Sequence, residues 1–504
     1  MYKPEKEADD TKKRILAAMC SFAVVCGSVS AFPANAGEPY ESYNYDSWGE
    51  AIPSQAGYIP DRAVSGQELG AGGFDSPSDI FFAGDGLMYI VDTKNDRIVA
   101  VDEDMTHTVR IYDSFITPGD TETTLDKPKG IYISPYNSLM YIADSENERI
   151  LVSDKSAKVI MEIKAPDDDM YNAPTFKPQR VLADKAGNIY AVLGNITTGA
   201  AMFSSEGRFI GFYGANRVQP TAEIIGNYLR ELFMSENKRS RRSRSVPTGI
   251  TSFDIEGDFI FTCTSSSTQR TDTVKKLNAA GKNIFADLSA TFGDNVPIYD
   301  PIQNTLFAPA IVDIDISEDG CINCLDLTSG RVFQYDEECN LLFITGTKAN
   351  QLGGVNTAAA VESHGDKIYV LDSTKDTITV FKETVFGAAV HKATKLYNDG
   401  YYEEALEPWY EVLRHDGNYR RANIGVASAL LRKGDYKGAM KYARIADSPE
   451  IYNKAFEGYR AEFIKKHFTA IFLSFFGAVT ALLILGRYRK KRRKHKKKGG
   501  TAFI

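Results

Sequence analysis

Between Phe74 and Phe381 apolar and polar residues alternate over short runs, and the runs return in sets. One set ends each time in aspartate: Tyr89-Ile90-Val91-Asp92, Tyr141-Ile142-Ala143-Asp144, Asn323-Cys324-Leu325-Asp326 and Tyr369-Val370-Leu371-Asp372. A preceding set opens on proline. Pro77-Ser78-Asp79-Ile80 returns as Pro128-Lys129-Gly130-Ile131, Pro178-Gln179-Arg180-Val181, Pro247-Thr248-Gly249-Ile250 and Pro309-Ala310-Ile311-Val312, with a proline-less copy at Thr357-Ala358-Ala359. A period of two is that of a strand whose faces pack differently. Six units of about fifty residues, each with four short strands, predict a six-bladed β-propeller, because one blade cannot cover both its faces and six stacked radially can.

The last unit has room for only three strands. A strand-like run at 62–69 precedes the first unit, and placing it as the outer strand of the last blade closes the ring at 62–383 without an open edge. Pro178 to Pro247 is a longer interval than Pro77 to Pro128 or Pro128 to Pro178, so an insertion at 215–246 separates units three and four. Blade topology puts that insertion, the other strand d-to-a connections and the aspartate turns on one rim.

After Phe381 the period becomes helical. Ala393, Leu396, Gly400, Tyr402 and Ala405 recur as Ala427, Leu430, Gly434, Tyr436 and Ala439. A capping stripe follows, with Ile451, Ala455 and Tyr459 beside Tyr452, Phe456 and Phe463. Phe468–Leu485 carries no charge and is near the ~20 residues a membrane-spanning helix needs. Two family resemblances rest on these residues. Asp92-Thr93-Lys94-Asn95-Asp96-Arg97-Ile98 resembles the NHL repeat, with Leu193 and Cys263 as departures in the aspartate slot. The second pattern resembles two tetratricopeptide repeats. Together they imply an all-β NHL-like six-bladed propeller, then an all-α TPR-like module at 384–466 that serves as a stalk or a peptide-binding groove. A transmembrane helix at 467–486 completes the layout.

Charge assigns an orientation. Residues 1–36 read as a secretory signal, with Lys12-Lys13-Arg14, an apolar run and Ala34-Asn35-Ala36; 37–61 is a linker. The tail at 487–504 carries ten Lys or Arg, which predicts a single-pass cell-membrane protein with its bulk outside and its C-terminus cytoplasmic. The signal holds five basic and four acidic residues, so against −7 for the whole chain the stretch between signal and tail holds −18. That sign argues against nucleic acid as a partner.

Chemistry is sparse. The propeller has two histidines, His107 and His364, and neither can reach the axis; no metal, cofactor or catalytic residue is assigned. A carboxylate site from Asp79, Asp313 and Asp315 is weighed against turn capping and left aside. Cys321 and Cys324 share a strand and point to opposite faces, so they cannot bond each other; Cys321 with Cys339 is the candidate disulfide. The candidate binding residues lie on the loop-bearing rim: Asp79, Lys129, Gln179 and Arg180 at inner-strand starts, and Arg239, Arg241, Arg242 and Arg244 in the insertion. The function expected is binding or scaffolding outside the membrane, towards envelope or membrane proteins or a small polar ligand, and by analogy beside an envelope transport system. A lactonase-like or lyase-like propeller enzyme is the alternative.

Overall fold

The computed structural model describes residues 40–498, apart from 215–248 and short gaps at 172, 195, 266–272, 289, 296–297 and 301–304. The six-bladed ring is present. Blade 1 is Asp79–Phe82, Leu87–Asp92, Arg97–Asp102 and Thr108–Tyr112, paired antiparallel in chain order. Blade 2 runs Pro128–Ile133 to Val159–Ile163, blade 3 Pro178–Ala183 to Phe209–Tyr213, and blade 5 Ile311–Ile316 to Leu341–Gly346. Blade 4 has three strands among the described residues, Ser252–Glu256, Phe259–Cys263 and Val274–Leu277. Blade 6 takes Ala358–His364, Lys367–Asp372 and Thr377–Glu383, and its fourth strand is Tyr58–Ser65 from the other end of the chain. That strand starts earlier than the run at 62–69. Pro60 lies at a bulge opposite Phe381, on an outer strand where a missing N–H costs little, and the segment after Ser65 turns instead to bury Leu69.

Side chains between blades form the core. Val99, Val101, Tyr369 and Leu371 fill the layer between blades 6 and 1; Phe261, Cys263, Cys324 and Phe333 fill that between blades 4 and 5. In the four blades that have it, the recurring aspartate accepts from the backbone of the incoming segment. Asp92 accepts from Asp75 N (2.8 Å), Asn95 Nδ2 (2.9 Å) and Arg97 Nε (2.8 Å); Asp144 repeats this with Asp126 N, Asn147 and Arg149. In both blades the arginine answers this same aspartate, and the backbone amide accepted comes from the incoming segment.

Strand register corrects the alignment of two units. Ser252 pairs with Cys263 and Asp313 with Leu325, as Asp79 pairs with Val91. Thr264 therefore fills the aspartate slot of blade 4, and Cys263 is a core residue. Gly249 and Ile311 are not the counterparts of Asp79; Ser252 and Asp313 are.

Four helices follow: α1 Val385–Asn398, α2 Leu406–His415, α3 Arg420–Lys433 and α4 Tyr436–Ile445. Trp409 of α2 is fully buried against Gly425 of α3, where a Cβ would come within 2.3 Å of the indole. The module seats on blades 5 and 6. Thr384 caps α1 by accepting from Gly387 N and donates to the Ala56 carbonyl (2.8 Å); Tyr419 donates to the Leu342 carbonyl (3.0 Å), and Arg421 pairs with Asp336 (2.8 Å). A final helix, α5 Pro449–Lys498, begins with proline, whose missing N–H costs nothing at a first helical position. It holds one segment long and apolar enough to cross a membrane, with none of that window buried.

Candidate functional site

Inner strands turn one unpaired edge towards the axis, so their N–H groups need partners from elsewhere. Here carboxylates supply several, each reaching to the next blade. Asp79 accepts from Ile131 N (2.9 Å), Asp254 from Ile316 N (2.7 Å), Asp313 from Val361 N (2.8 Å) and Glu362 from Phe82 N (2.9 Å). By register these groups form two rungs along the channel. The upper rung holds Asp79, Gly130, Arg180, Ser252, Asp313 and Ala360; two residues further along each strand, the lower holds Phe81, Tyr132, Leu182, Asp254, Asp315 and Glu362.

Arg180 governs the upper rung. Its Nη1 donates to the Lys129 carbonyl (2.9 Å), its Nη2 to the carbonyls of Ala359 (3.1 Å) and Ser78 (3.2 Å), and its Nε to Ser252 Oγ (3.3 Å). The same Nε lies 3.7 Å from Asp79 and 3.9 Å from Asp313. One side chain, 14% exposed, thus touches every other blade of the ring. Gly130 leaves it room: a Cβ there would sit 2.6 Å from the Gln179 carbonyl and 3.0 Å from Arg180 Cα. The guanidinium separates two cavities. Above it is an open mouth of about 500 Å³; below it a pocket of about 40 Å³ reaches Asp254 and Glu362.

The mouth is lined by Lys129, Gln179 and hydroxyls from Ser78, Thr197, Thr251 and Ser373. Among the described residues no carboxylate is within ion-pair distance of the Lys129 amine, and burial, reinforced by Arg180, lowers its pKa. Gln179 donates to Ser145 Oγ (3.2 Å). Burial pushes Asp79 up to about 7, against the pull of Arg180 and with that of Asp313. In the lower rung burial raises Asp254 to about 8, Asp315 to about 6 and Glu362 well above the carboxylate range, and each is raised further by neighbouring acids.

From Asp315 a chain of buried polar groups runs outward to the helices. Asn323 Nδ2 donates to Asp315 (2.8 Å), Gln334 Nε2 donates to Asn323 Oδ1 (3.0 Å), and His391 Nε2 meets Gln334 Oε1 (2.7 Å). The other ring nitrogen of His391 bonds Glu383. Burial alone would lower the His391 pKa; the Cys321 thiol and Glu383 outweigh it and bring it up to about 9.

Four sequence-chosen residues, Asp79, Lys129, Gln179 and Arg180, converge on the axis. Arg180 spends its donors on backbone carbonyls and the Ser252 hydroxyl, and Asp79 lies beneath it. Arg239, Arg241, Arg242 and Arg244 fall outside the described residues. The Cys321–Cys339 pairing is corrected. Both thiols are free, and they serve opposite faces of blade 5: Cys321 sits with His391, whereas Cys339 packs into the layer shared with blade 4, near Cys324. Sequence reasoning missed Asp254, Glu362 and His391. Ser252-Phe253-Asp254 matches Asp313-Ile314-Asp315 and Ala360-Val361-Glu362, a signal hidden by the insertion before blade 4. Among the described residues no group of three His, Cys, Asp or Glu is arranged to hold a metal ion.

No protein-family model matches the chain, and no curated protein matches it in sequence. Solved structures similar to it include virginiamycin B lyase from Staphylococcus aureus, at 10% identity and TM-score 0.38 over 64% of this chain and 99% of that one. Hydrazine synthase of Kuenenia stuttgartiensis is similar at 11% and 0.35, over 62% and 97%, and a streptogramin B lyase at 9% and 0.36, over 62% and 94%. At these scores the likeness adds nothing to the six-bladed ring that strand pairing already defines.

Proposed function

We propose that this protein is a membrane-anchored, extracytoplasmic binding protein whose propeller mouth takes a small anionic ligand, such as a carboxylate or phosphate ester. The observation that carries the reading is the mouth itself: an open cavity of about 500 Å³ on the axis, rich in hydroxyls, with Lys129 free of carboxylate partners among the described residues and Arg180 as its floor. A positive, partly desolvated pocket in an otherwise acidic chain concentrates anions. The apolar segment of α5 and the ten basic residues after it support an anchor with the propeller outside. The NHL-like blades and TPR-like helices would then present the ligand to other envelope proteins, including a transport system.

The test is calorimetry on the full chain in nanodiscs with citrate and inorganic phosphate as probes. Binding of one of them that weakens about tenfold or more in Lys129→Met, with unchanged thermal unfolding, is the expected result. Equal binding by both proteins, or none by either, overturns the reading.

One observation favours the enzyme alternative. Lys129 has a lowered pKa and sits beside a fixed guanidinium, an arrangement in which an amine can take a proton while the cation steadies developing negative charge. A lactonase-like or lyase-like reaction would then turn over rather than merely bind, and Lys129→Met would abolish turnover while leaving product affinity.

A further inference from the structure

On the helical module, Lys437, Lys441 and Arg444 stand one and two turns apart along one face of α4, all exposed. Opposite them Tyr452, Phe456 and Tyr459 form a stripe of the same spacing on α5. The two stripes enclose a groove of about 440 Å³. Lys437 lies 5.5 Å from the Tyr459 ring and Arg444 5.4 Å from that of Tyr452. Phe456 is 46% exposed and Ile445 50%. Among the described residues none of the three cations has a carboxylate partner. Nearby Glu450 is already bonded to Lys454 along α5.

We infer that this groove docks an acidic segment of a partner protein that carries aromatic or large apolar residues. Charge complementarity names the occupant: three cations without internal counter-ions, in a chain whose extramembrane part is acidic, call for carboxylates from outside. The aromatic wall calls for apolar side chains between them, placed at helical or extended spacing. Height above the bilayer selects protein over lipid, on the reading that α5 is the anchor. At ~1.5 Å per residue Tyr459 stands roughly 13 Å, and Tyr452 roughly 24 Å, from Phe468 along the helix. The headgroup layer is only about 5–8 Å deep on each side, and a tilt of about 20° changes these heights little.

The experiment places a photo-crosslinking amino acid at Met440, which lines the groove, in the full chain in phosphatidylcholine nanodiscs. The probe is a synthetic peptide of repeated Glu-Glu-Phe units, and mass spectrometry reads adducts at position 440 alone, so the basic tail does not contribute. Saturable capture is expected, weakened about tenfold or more in Lys437→Glu/Lys441→Glu/Arg444→Glu and unchanged by adding phosphatidylglycerol. Thermal unfolding of that variant should match the parent, since the charges are solvated. Lipid adducts that displace the peptide overturn the proposal in favour of a headgroup site. Absence of saturable capture, or capture equal in the reversed variant, overturns it outright. None of these readouts involves the propeller mouth, so failure here leaves the anion-binding reading standing.

Discussion

The two rungs of the channel use the same residue type to opposite ends. In the upper rung two carboxylates, Asp79 and Asp313, flank one guanidinium that also collects backbone carbonyls around the ring. In the lower rung three acids on consecutive blades, Asp254, Asp315 and Glu362, face an apolar half made by Phe81, Tyr132 and Leu182, and among the described residues none of them is ion-paired to a cation. Above, Arg180 ties the ring together and pulls against the burial that raises both carboxylates. Below, the acids raise one another, and burial brings Asp254 to about 8, Asp315 to about 6 and Glu362 well above the carboxylate range. A buried carboxylate can thus be an ion-pair member or a neutral acid, and the neighbouring blade decides which.

The largest effect should come from breaking the upper rung. Arg180→Met strands two carboxylates and several carbonyls, and should cost about 3–5 kcal/mol in urea unfolding. Adding Asp79→Asn and Asp313→Asn should recover most of it; a loss below about 1 kcal/mol would show that the guanidinium does not staple the blades.

Neutralising the lower rung should do the reverse. The folded pKa of Asp254 lies above its unfolded value, so the group favours the folded state at low pH and that stability is lost as pH rises from about 4 through 8. Asp254→Asn, which can still accept from Ile316 N, should therefore stabilise more at pH 8 than at pH 5, by about 1–3 kcal/mol. Equal effects at both pH values would mean that Asp254 is ionised throughout.

His391 should show a smaller dependence with the same sign. Its raised pKa contributes stability that is full below about 6.5 and lost as pH climbs through about 9. His391→Gln should flatten the melting-temperature profile across that window by about 1 kcal/mol, tracked by calorimetry. Replacing Arg239, Arg241, Arg242 and Arg244 by alanine should shift unfolding by no more than about 0.5 kcal/mol, the effect expected of a basic run read from its sequence as a solvent-facing loop. A larger shift would place those arginines in the folded core.

Much of this was legible in the chain. Alternation ending in Asp92, Asp144, Asp326 and Asp372 located strand b of four blades, and the starts at Lys129 and Arg180 pointed to the mouth. Asp254 and Glu362 of the lower rung were not, for two reasons. Pro247-Thr248-Gly249-Ile250 imitates a blade start and shifts the frame of blade 4, so Asp254 lost its place on the axis. A carboxylate on an inner strand also looks the same whether it caps a turn or stitches two blades; only the partner amide tells. The Cys321–Cys339 expectation failed because turn topology shows that two residues share an end of a blade, not which face each thiol takes.

The strand that seals blade 6 carries a consequence for biosynthesis. It pairs Val64 with Ile378 and Tyr58 with Glu383, so a segment made before the rest of the propeller must wait for nearly all of it before it finds its partner. Contacts this remote in sequence close slowly and leave a bare strand edge in the interval, where a second chain could add. The same stretch also seats the helices, since Thr384 bonds the Ala56 carbonyl and Gly387 packs on Gly57. Completion of the ring and docking of α1 thus draw on one stretch of chain, and a nascent chain halted before Thr384 would lack the contacts that make that stretch both seal and seat.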